Sequence, residues 1–312
     1  MTNITTIQHQ VAPQPTLNSA ALDSFSAFID GSQKTVETYT KAVKKLWQYL
    51  ASKGIFQPQR ADIIQYREHL KEEGLKPSTV QNYIIAARLF FQWTEQAGIY
   101  PNVAAHIKGA KLDRAHKKDY LTTDQVQNIL HAINGDSLKD KRDFAMLSLM
   151  ITGGLRTIEV SRANIGDLRT VGNATVLYLQ GKGREEKTEY VKIAPPVEKA
   201  IRQYLSRRKD ASNAEAPLFT STSNNSKGER LTTRSIRATA KKRMQAAGYD
   251  SERLTAHSLR HTAVTLALLA GRDITEVQQF ARHANITTTM IYNHALDKAK
   301  NECSNAISAA IF

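Results

Sequence analysis

The chain has 312 residues, of which 41% are hydrophobic and 23% charged, values that suit a soluble two-domain globular protein and exclude a disordered one. It contains no apolar run of the roughly 18 residues that a membrane span requires, and its first twenty residues lack the charged and apolar regions of a secretory leader. Its single cysteine, Cys303, excludes an internal disulfide and fits a reducing cytoplasm, while a net charge of +14 favours a polyanionic partner.

Residues 1–17 read as a flexible lead, followed by an internal echo. The stretches "TVETYTKAVKKLWQYLASKGI" and "TVQNYIIAARLFFQWTEQAGI" match at a constant offset, pairing Thr35 with Thr79, Tyr39 with Tyr83 and Gly54 with Gly98. Each carries apolar residues at helical spacing, a threonine where a helix should begin and a glycine where it should stop. Between them "RADIIQYREHLKEEG" reads as a further amphipathic helix closed by Gly74. These features predict an all-helical bundle over 18–106, with Trp47, Tyr49, Phe90, Phe91 and Trp93 in its core.

Residues 107–119, "IKGAKLDRAHKKD", are basic and aperiodic, as expected of a linker able to follow a phosphate backbone. "LTTDQVQNILHAI" then opens a second domain, 120–312, at a threonine-capped helix, and "RDFAMLSLMITGG" is an apolar helix ended by a glycine pair. "ATVLYLQ" and "EYVKIAP" read as strands of a hairpin joined through "GKGREEKT". After Pro195 and Pro196 the pattern is helical again, and "TTRSIRATAKKRMQAAG" sets Arg234, Arg237 and Lys241 on one helix face. The fold class is mainly α: an N-terminal helical bundle, then an α-rich domain with a small antiparallel sheet.

Three segments place cationic or imidazole groups in constrained positions. In "GGLRTIEV", Arg156 follows a glycine-terminated helix, where a surface pair with Glu159 is the plain reading. In "AHSLRH", His257 and Arg260 share a helix face with His261 nearby, where solvated polar groups of a helix start are the plain reading. "ARHANITTTMIYNH" carries His283 and, nine residues on, Tyr292 without an acidic neighbour. His257 and His261 have the spacing of helical zinc ligands, but "HSLRH" lacks the glutamate of a zinc protease and encloses an arginine, which opposes a divalent cation. No acidic cluster suggests a two-metal nuclease, so no metal or other cofactor is expected. Arginines and histidines without a metal suit phosphoryl transfer, in which guanidinium forks hold the non-bridging oxygens. A tyrosine becomes a nucleophile there once cations or a base favour its phenolate. Lys182, between two glycines in "GKGR", is a lysine able to deliver a proton, or a solvated turn lysine.

The set Arg156, Lys182, His257-x-x-Arg260, His283 and Tyr292, in that order, resembles the tyrosine recombinase (phage integrase) family over nearly the whole chain. The resemblance implies a SAM-like core-binding domain over 18–106 and a catalytic domain with a C-terminal tail helix over 120–312. It further implies a metal- and ATP-independent site-specific DNA recombinase that cleaves and rejoins duplex DNA through a 3′-phosphotyrosyl link. Tyr292 would be the nucleophile, Arg156 and Arg260 the phosphate grips, and His283 a hydrogen-bond donor. His257 would act in proton transfer, Lys182 would protonate the leaving oxygen, and Glu159 would orient its neighbours. Thr35, Thr38, Thr79 and Asn82 resemble the family's major-groove contacts, with Arg234, Arg237 and Lys241 as further candidate DNA contacts. Expected partners are double-stranded DNA with inverted-repeat core sites, a homotetramer in which the apolar tail docks on a neighbouring protomer, and accessory proteins. The short lead points to Xer-like or transposon integrases. A type IB topoisomerase, a telomere resolvase and a catalytically silent DNA-binding protein on the same fold are the alternatives. "LG" commonly precedes the box histidine in the family; here Ala281 and Arg282 stand there.

Overall fold

The computed structural model describes residues 19–111, 119–181, 186–299 and 302–311. It divides into two compact units, Met1–Arg114 and Ala115–Phe312.

The first unit is built from α1 (Ser19–Phe28), α2 (Gln33–Ser52), α3 (Arg60–Glu72) and α4 (Pro77–Gln96). The sequence echo is structural: α2 and α4 are each 20 residues long and occupy matching positions in the two copies. Both helices begin two residues before the repeated threonines. The Ser32 hydroxyl caps α2 by accepting from the Thr35 N–H, and Pro77 opens α4 with a φ already fixed for the helix. Gly54 and Gly98 stop them at φ +66° and +67°, a conformation that costs other residues a Cβ clash. Phe25, Leu46, Ile63, Tyr66, Ile84 and Phe90 fill the core, and Phe90 meets Phe25 edge to face at 5.3 Å. Each such side chain contributes roughly 1.5–3 kcal/mol by leaving water. Tyr49, Phe91 and Trp93 are buried as the periodicity predicts, with Trp47 packed against Phe90. Ile107 is buried in this same core and Arg67 donates to the Lys108 carbonyl, so the unit runs past residue 106 into the basic stretch.

In the second unit α5 (Thr123–His131) starts at a Thr122 cap reciprocated by Gln125, and α6 (Leu138–Thr152) is the apolar central helix. The short α7 (Thr157–Arg162) leads into β1 (Leu168–Val171), β2 (Ala174–Leu179) and β3 (Glu189–Lys192), an antiparallel sheet in that order. β1 is an addition to the expected hairpin. Val171 pairs with Ala174 across Gly172 at φ +57° and Asn173, a two-residue turn that "VGNA" announces. Then come α8 (Pro195–Leu205), α9 (Thr233–Ala246), α10 (Ala256–Leu269), α11 (Ile274–Ala281), α12 (Ile286–Ala299) and α13 (Cys303–Ile311). Met146, Met150, Tyr204, Ile236 and Leu259 share one core, which joins α6, α8, α9 and α10. The Arg243 guanidinium locks α9 to α6 through Asp140 at 2.6 Å and Asp143 at 2.7 Å. Among the described residues no helix is long and apolar enough to cross a membrane.

Candidate active site

Two glycines end α6, and the second, Gly154, turns the chain at φ +57°, its α-carbon so near Phe280 that an added Cβ would sit 3.1 Å from the ring. This turn delivers Arg156 to the N-terminus of α7 in an extended conformation. Glu159, one turn into α7, accepts from the Arg156 main-chain N–H at 2.7 Å and from its guanidinium at 2.8 Å. The sequence therefore gives the pair correctly but not its setting: the Glu159 side chain is 1% exposed. Burial pushes its carboxyl up, yet Arg282 and Arg156 outweigh burial and hold it below the usual range, so it is ionised.

On α10, Arg260 is fully enclosed. It donates to the Gly154 carbonyl at 2.6 Å and to the Ala281 carbonyl, which fixes its guanidinium between the ends of α6 and α11. Burial together with the positive neighbours Arg156 and Arg282 lowers its pKa to about 9. An anion placed among these three groups is therefore strongly favoured, because it relieves their mutual repulsion in a site of low polarity.

The helix α11 ends at Arg282 in the left-handed conformation, φ +54°, and this reversal returns His283 to the cluster. The His283 Nδ1 lies 2.9 Å from the buried Thr289 hydroxyl on α12. Burial, then Arg260, Arg156 and Arg282, lower its pKa to about 4, so the ring is neutral. In this pair Nδ1 accepts from the Thr289 hydroxyl when the proton of the neutral ring is on Nε2, and donates to it in the other tautomer.

Tyr292, two turns into α12, is 7% exposed and packs with Val264, Val277 and Ala281. Its ring is 4.4 Å from that of His261 and 6.2 Å from that of His283. Burial raises its hydroxyl above the ordinary phenol range, opposed by Arg260 and then Arg156. His257 is exposed one turn before His261, the two rings 6.0 Å apart. The structure thus brings Arg156, Glu159, Arg260, His283 and Tyr292 together, with His257 at the edge. Lys182 lies outside the described residues.

Sequence reasoning assigned no role to His261, whose position four residues after His257 keeps it on the tyrosine side of α10. It also did not give the place of Arg282, whose signal was a bulky residue where glycine is usual. Among the described residues no group of three or more His, Cys, Asp or Glu side chains is arranged to hold a metal. A cavity of about 680 Å³ opens beside Arg156, Arg282 and His283, walled by Thr188, Tyr190 and Gln278.

The remaining candidates lie away from this cluster. Thr38 and Asn82 are exposed at equivalent positions of α2 and α4, and the Thr38 hydroxyl donates to the Lys34 carbonyl. Thr35 and Thr79 are half-buried in the first turns. Arg234 and Arg237 are exposed on α9, whereas Lys241 is drawn to Asp250 at 2.9 Å and to the Ser251 carbonyl.

The chain matches a known family. The sequence profile of the Phage integrase family covers residues 119–299, and that of the Phage integrase N-terminal SAM-like domain covers residues 23–98. The chain belongs to the phage integrase family, the tyrosine-type site-specific DNA recombinases. It is similar to tyrosine recombinase XerC of Thermodesulfovibrio yellowstonii, 30% identical over 271 residues, covering 84% of this chain and 86% of the relative. XerD of Oceanobacillus iheyensis is 29% identical over 240 residues, covering 75% and 77%. In fold it resembles XerH bound to a palindromic difH substrate, with a TM-score of 0.70 and 21% identity over 88% of this chain and 80% of that one. The Tn1549 transposon integrase in complex with transposon right-end DNA gives 0.67 and 20% identity over 88% and 93%.

Proposed function

We propose that Tyr292 is the nucleophile with which this recombinase cuts DNA, and that Arg156, Arg260 and His283 form the phosphate-binding pocket of the reaction. The phenolic oxygen attacks the scissile phosphorus, and the bond to the 5′-oxygen breaks as the 3′-phosphotyrosyl bond forms. Arg156 and Arg260 hold the non-bridging oxygens, and the neutral His283 donates from Nε2. The tyrosine proton passes to His257, and Lys182 on the β2–β3 connection supplies the proton taken up by the leaving 5′-oxygen. A 5′-hydroxyl from the partner strand reverses these steps, and the phosphotyrosyl bond conserves the energy of the phosphodiester, so neither ATP nor a metal is consumed. One observation carries this reading: a buried tyrosine shares one enclosure with two arginines and a neutral histidine, and the ionised Glu159 beside them is taken up by Arg156 and Arg282.

The first unit presents Thr38 and Asn82 to DNA, joined on the catalytic side by Arg234 and Arg237, and the inverted-repeat core site of a mobile element or chromosome is the substrate. The working form is a cytoplasmic homotetramer, with accessory proteins setting direction. Its contact is made by α13, whose Ile307 and Ile311 are 60% and 68% exposed. A groove of about 430 Å³ lined by Ile151, Ala263, Leu266, Ala267 and Phe280 receives that helix from a second copy.

A DNA duplex carrying a nick beside the cleavage point tests the chemistry, because loss of the short fragment prevents rejoining. A protein–DNA adduct should survive denaturing electrophoresis with the unsubstituted chain and be absent with Tyr292→Phe. An adduct mapped to another side chain would refute the assignment.

A further inference from the structure

Arg282 carries three unusual features at once. It is one of two non-glycine described residues with positive φ, at +54°, a conformation that costs an ordinary side chain roughly 1–2 kcal/mol. Its side chain is only 7% exposed. Its guanidinium, in addition, is spent on the protein itself: on Glu159 at 3.1 Å, the Gly154 carbonyl at 3.0 Å and the Phe280 carbonyl at 2.8 Å. A strained, buried cation is retained only where the surrounding bonds over-determine it.

Those bonds have a pattern. The Glu159 carboxylate that takes Arg282 also takes the side chain and main chain of Arg156. The Gly154 carbonyl that takes Arg282 also takes Arg260. The main-chain carbonyl of Arg282 accepts from the second terminal nitrogen of Arg156 at 3.1 Å, and its predecessor Ala281 accepts from Arg260. Each phosphate-gripping arginine thus shares an acceptor with Arg282, Glu159 for Arg156 and the Gly154 carbonyl for Arg260. Arg156 is held in addition by the Arg282 main-chain carbonyl, and the next residue along the chain is His283.

We propose that Arg282 is a positioning residue that fixes the geometry of both Arg156 and Arg260, binding their shared acceptors rather than the DNA. The inference rests on the catalytic reading above. Because all of its strong donors are directed into the protein, its contribution is to the rate of phosphotyrosyl formation, not to the hold on DNA. Nη2 donates to both the Glu159 carboxylate and the Gly154 carbonyl while Nη1 donates to the Phe280 carbonyl, a two-nitrogen spread that a guanidinium offers and a single ammonium does not.

The test compares the unsubstituted chain, Arg282→Gly and Arg282→Lys on one nicked duplex, following adduct formation at saturating protein and DNA binding by anisotropy. Glycine suits φ +54°, so Arg282→Gly removes the fork and relieves the backbone together. Its single-turnover adduct rate should fall roughly 100-fold, the scale of a misplaced catalytic group, while its DNA dissociation constant stays that of the parent. Added ethylguanidinium should restore part of the rate in Arg282→Gly, saturably, and Arg282→Lys should remain slow because one ammonium cannot serve Glu159, the Gly154 carbonyl and the Phe280 carbonyl together. An unaltered rate in Arg282→Gly, a loss of DNA binding that accounts for the whole deficit, or full activity in Arg282→Lys would each overturn the inference. Absence of adduct from the unsubstituted chain would instead refute the catalytic reading, and this inference with it.

Discussion

Glu159 holds Arg156 at two points, accepting from its main-chain N–H and from its guanidinium with the two oxygens of one enclosed carboxylate. The first bond caps α7 and the second aims the arginine, so helix start and active-site geometry are set by the same group. Glu159→Ala leaves Arg282 and Arg156 without their counter-ion, a change that costs about 3 kcal/mol in a buried pair. Urea denaturation should show that loss, with adduct formation falling in parallel. The sign of the pH dependence follows from the depressed carboxyl: its contribution is present above the unfolded value of about 4.3 and is lost as pH falls through the lower folded value. Below that range the stabilities of the parent and Glu159→Ala should converge; a constant gap down to the acid limit would contradict an ionised Glu159.

His283 should titrate near pH 4, well below the usual histidine value of about 6.5. Because its folded pKa is depressed, this histidine contributes stability fully above about pH 6.5 and loses it as pH falls toward 4. Side-chain nitrogen NMR on the chain labelled at histidine measures the midpoint directly, with His283→Asn giving the assignment. A midpoint near 6.5 would contradict the depression of this ring by burial and by Arg260, Arg156 and Arg282.

Thr289 offers a separate check on the same ring. Thr289→Val keeps shape and burial but removes the hydroxyl 2.9 Å from Nδ1, so the ring is free to take the tautomer with its proton on that nitrogen. Removing a preorganised donor from a developing charge costs roughly 100-fold in rate. Adduct formation should fall on that scale with unchanged DNA affinity, and an unaffected rate would sink the tautomer assignment.

Much of this was legible in the chain. Repeated glycines marked the ends of α2 and α4 because only their backbone takes φ near +66° cheaply, and the paired prolines marked the start of α8. The helix beginnings were less legible: Thr35 and Thr79 look like caps, but Ser32 caps one helix and Pro77 opens the other. β1 was hidden because "LRTV" alternates weakly and three of its four residues are exposed, leaving only the Gly172–Asn173 turn as a signal. In the site, residue type and order singled out Arg156, Arg260, His283 and Tyr292 as candidates, and these lie together in the structure. Order along a chain says nothing of which carbonyl an arginine meets, so the joint hold of Gly154 on Arg260 and Arg282 was visible only in three dimensions.

Tyr292→Phe should fold normally, since the ring keeps its packing on Val264, Val277 and Ala281 and loses only a hydroxyl. DNA affinity should persist while adduct is abolished. With the parent chain, adduct formation should be unchanged by chelators, because the proposed charge stabilisation comes from guanidinium groups. Cleavage that chelators abolish would require a different mechanism.

The tail prediction concerns assembly alone. Ile307 and Ile311 lie four apart on α13, both exposed, so they form one apolar ridge one turn long. A ridge of that length matches a groove lined by Ala263, Leu266, Ala267 and Phe280, and placing it there removes two large side chains from water, worth roughly 1.5–3 kcal/mol each. Ile307→Asp with Ile311→Asp should therefore leave DNA binding and single-site adduct formation intact while the tetramer on paired sites dissociates, as read by light scattering. Recombination between two duplexes should fall with it. Loss of assembly from the groove side, in Ala267→Glu, should be complemented by no tail substitution but should match the tail variant in every assay. A tetramer that survives both changes would show that α13 is not the contact between protomers.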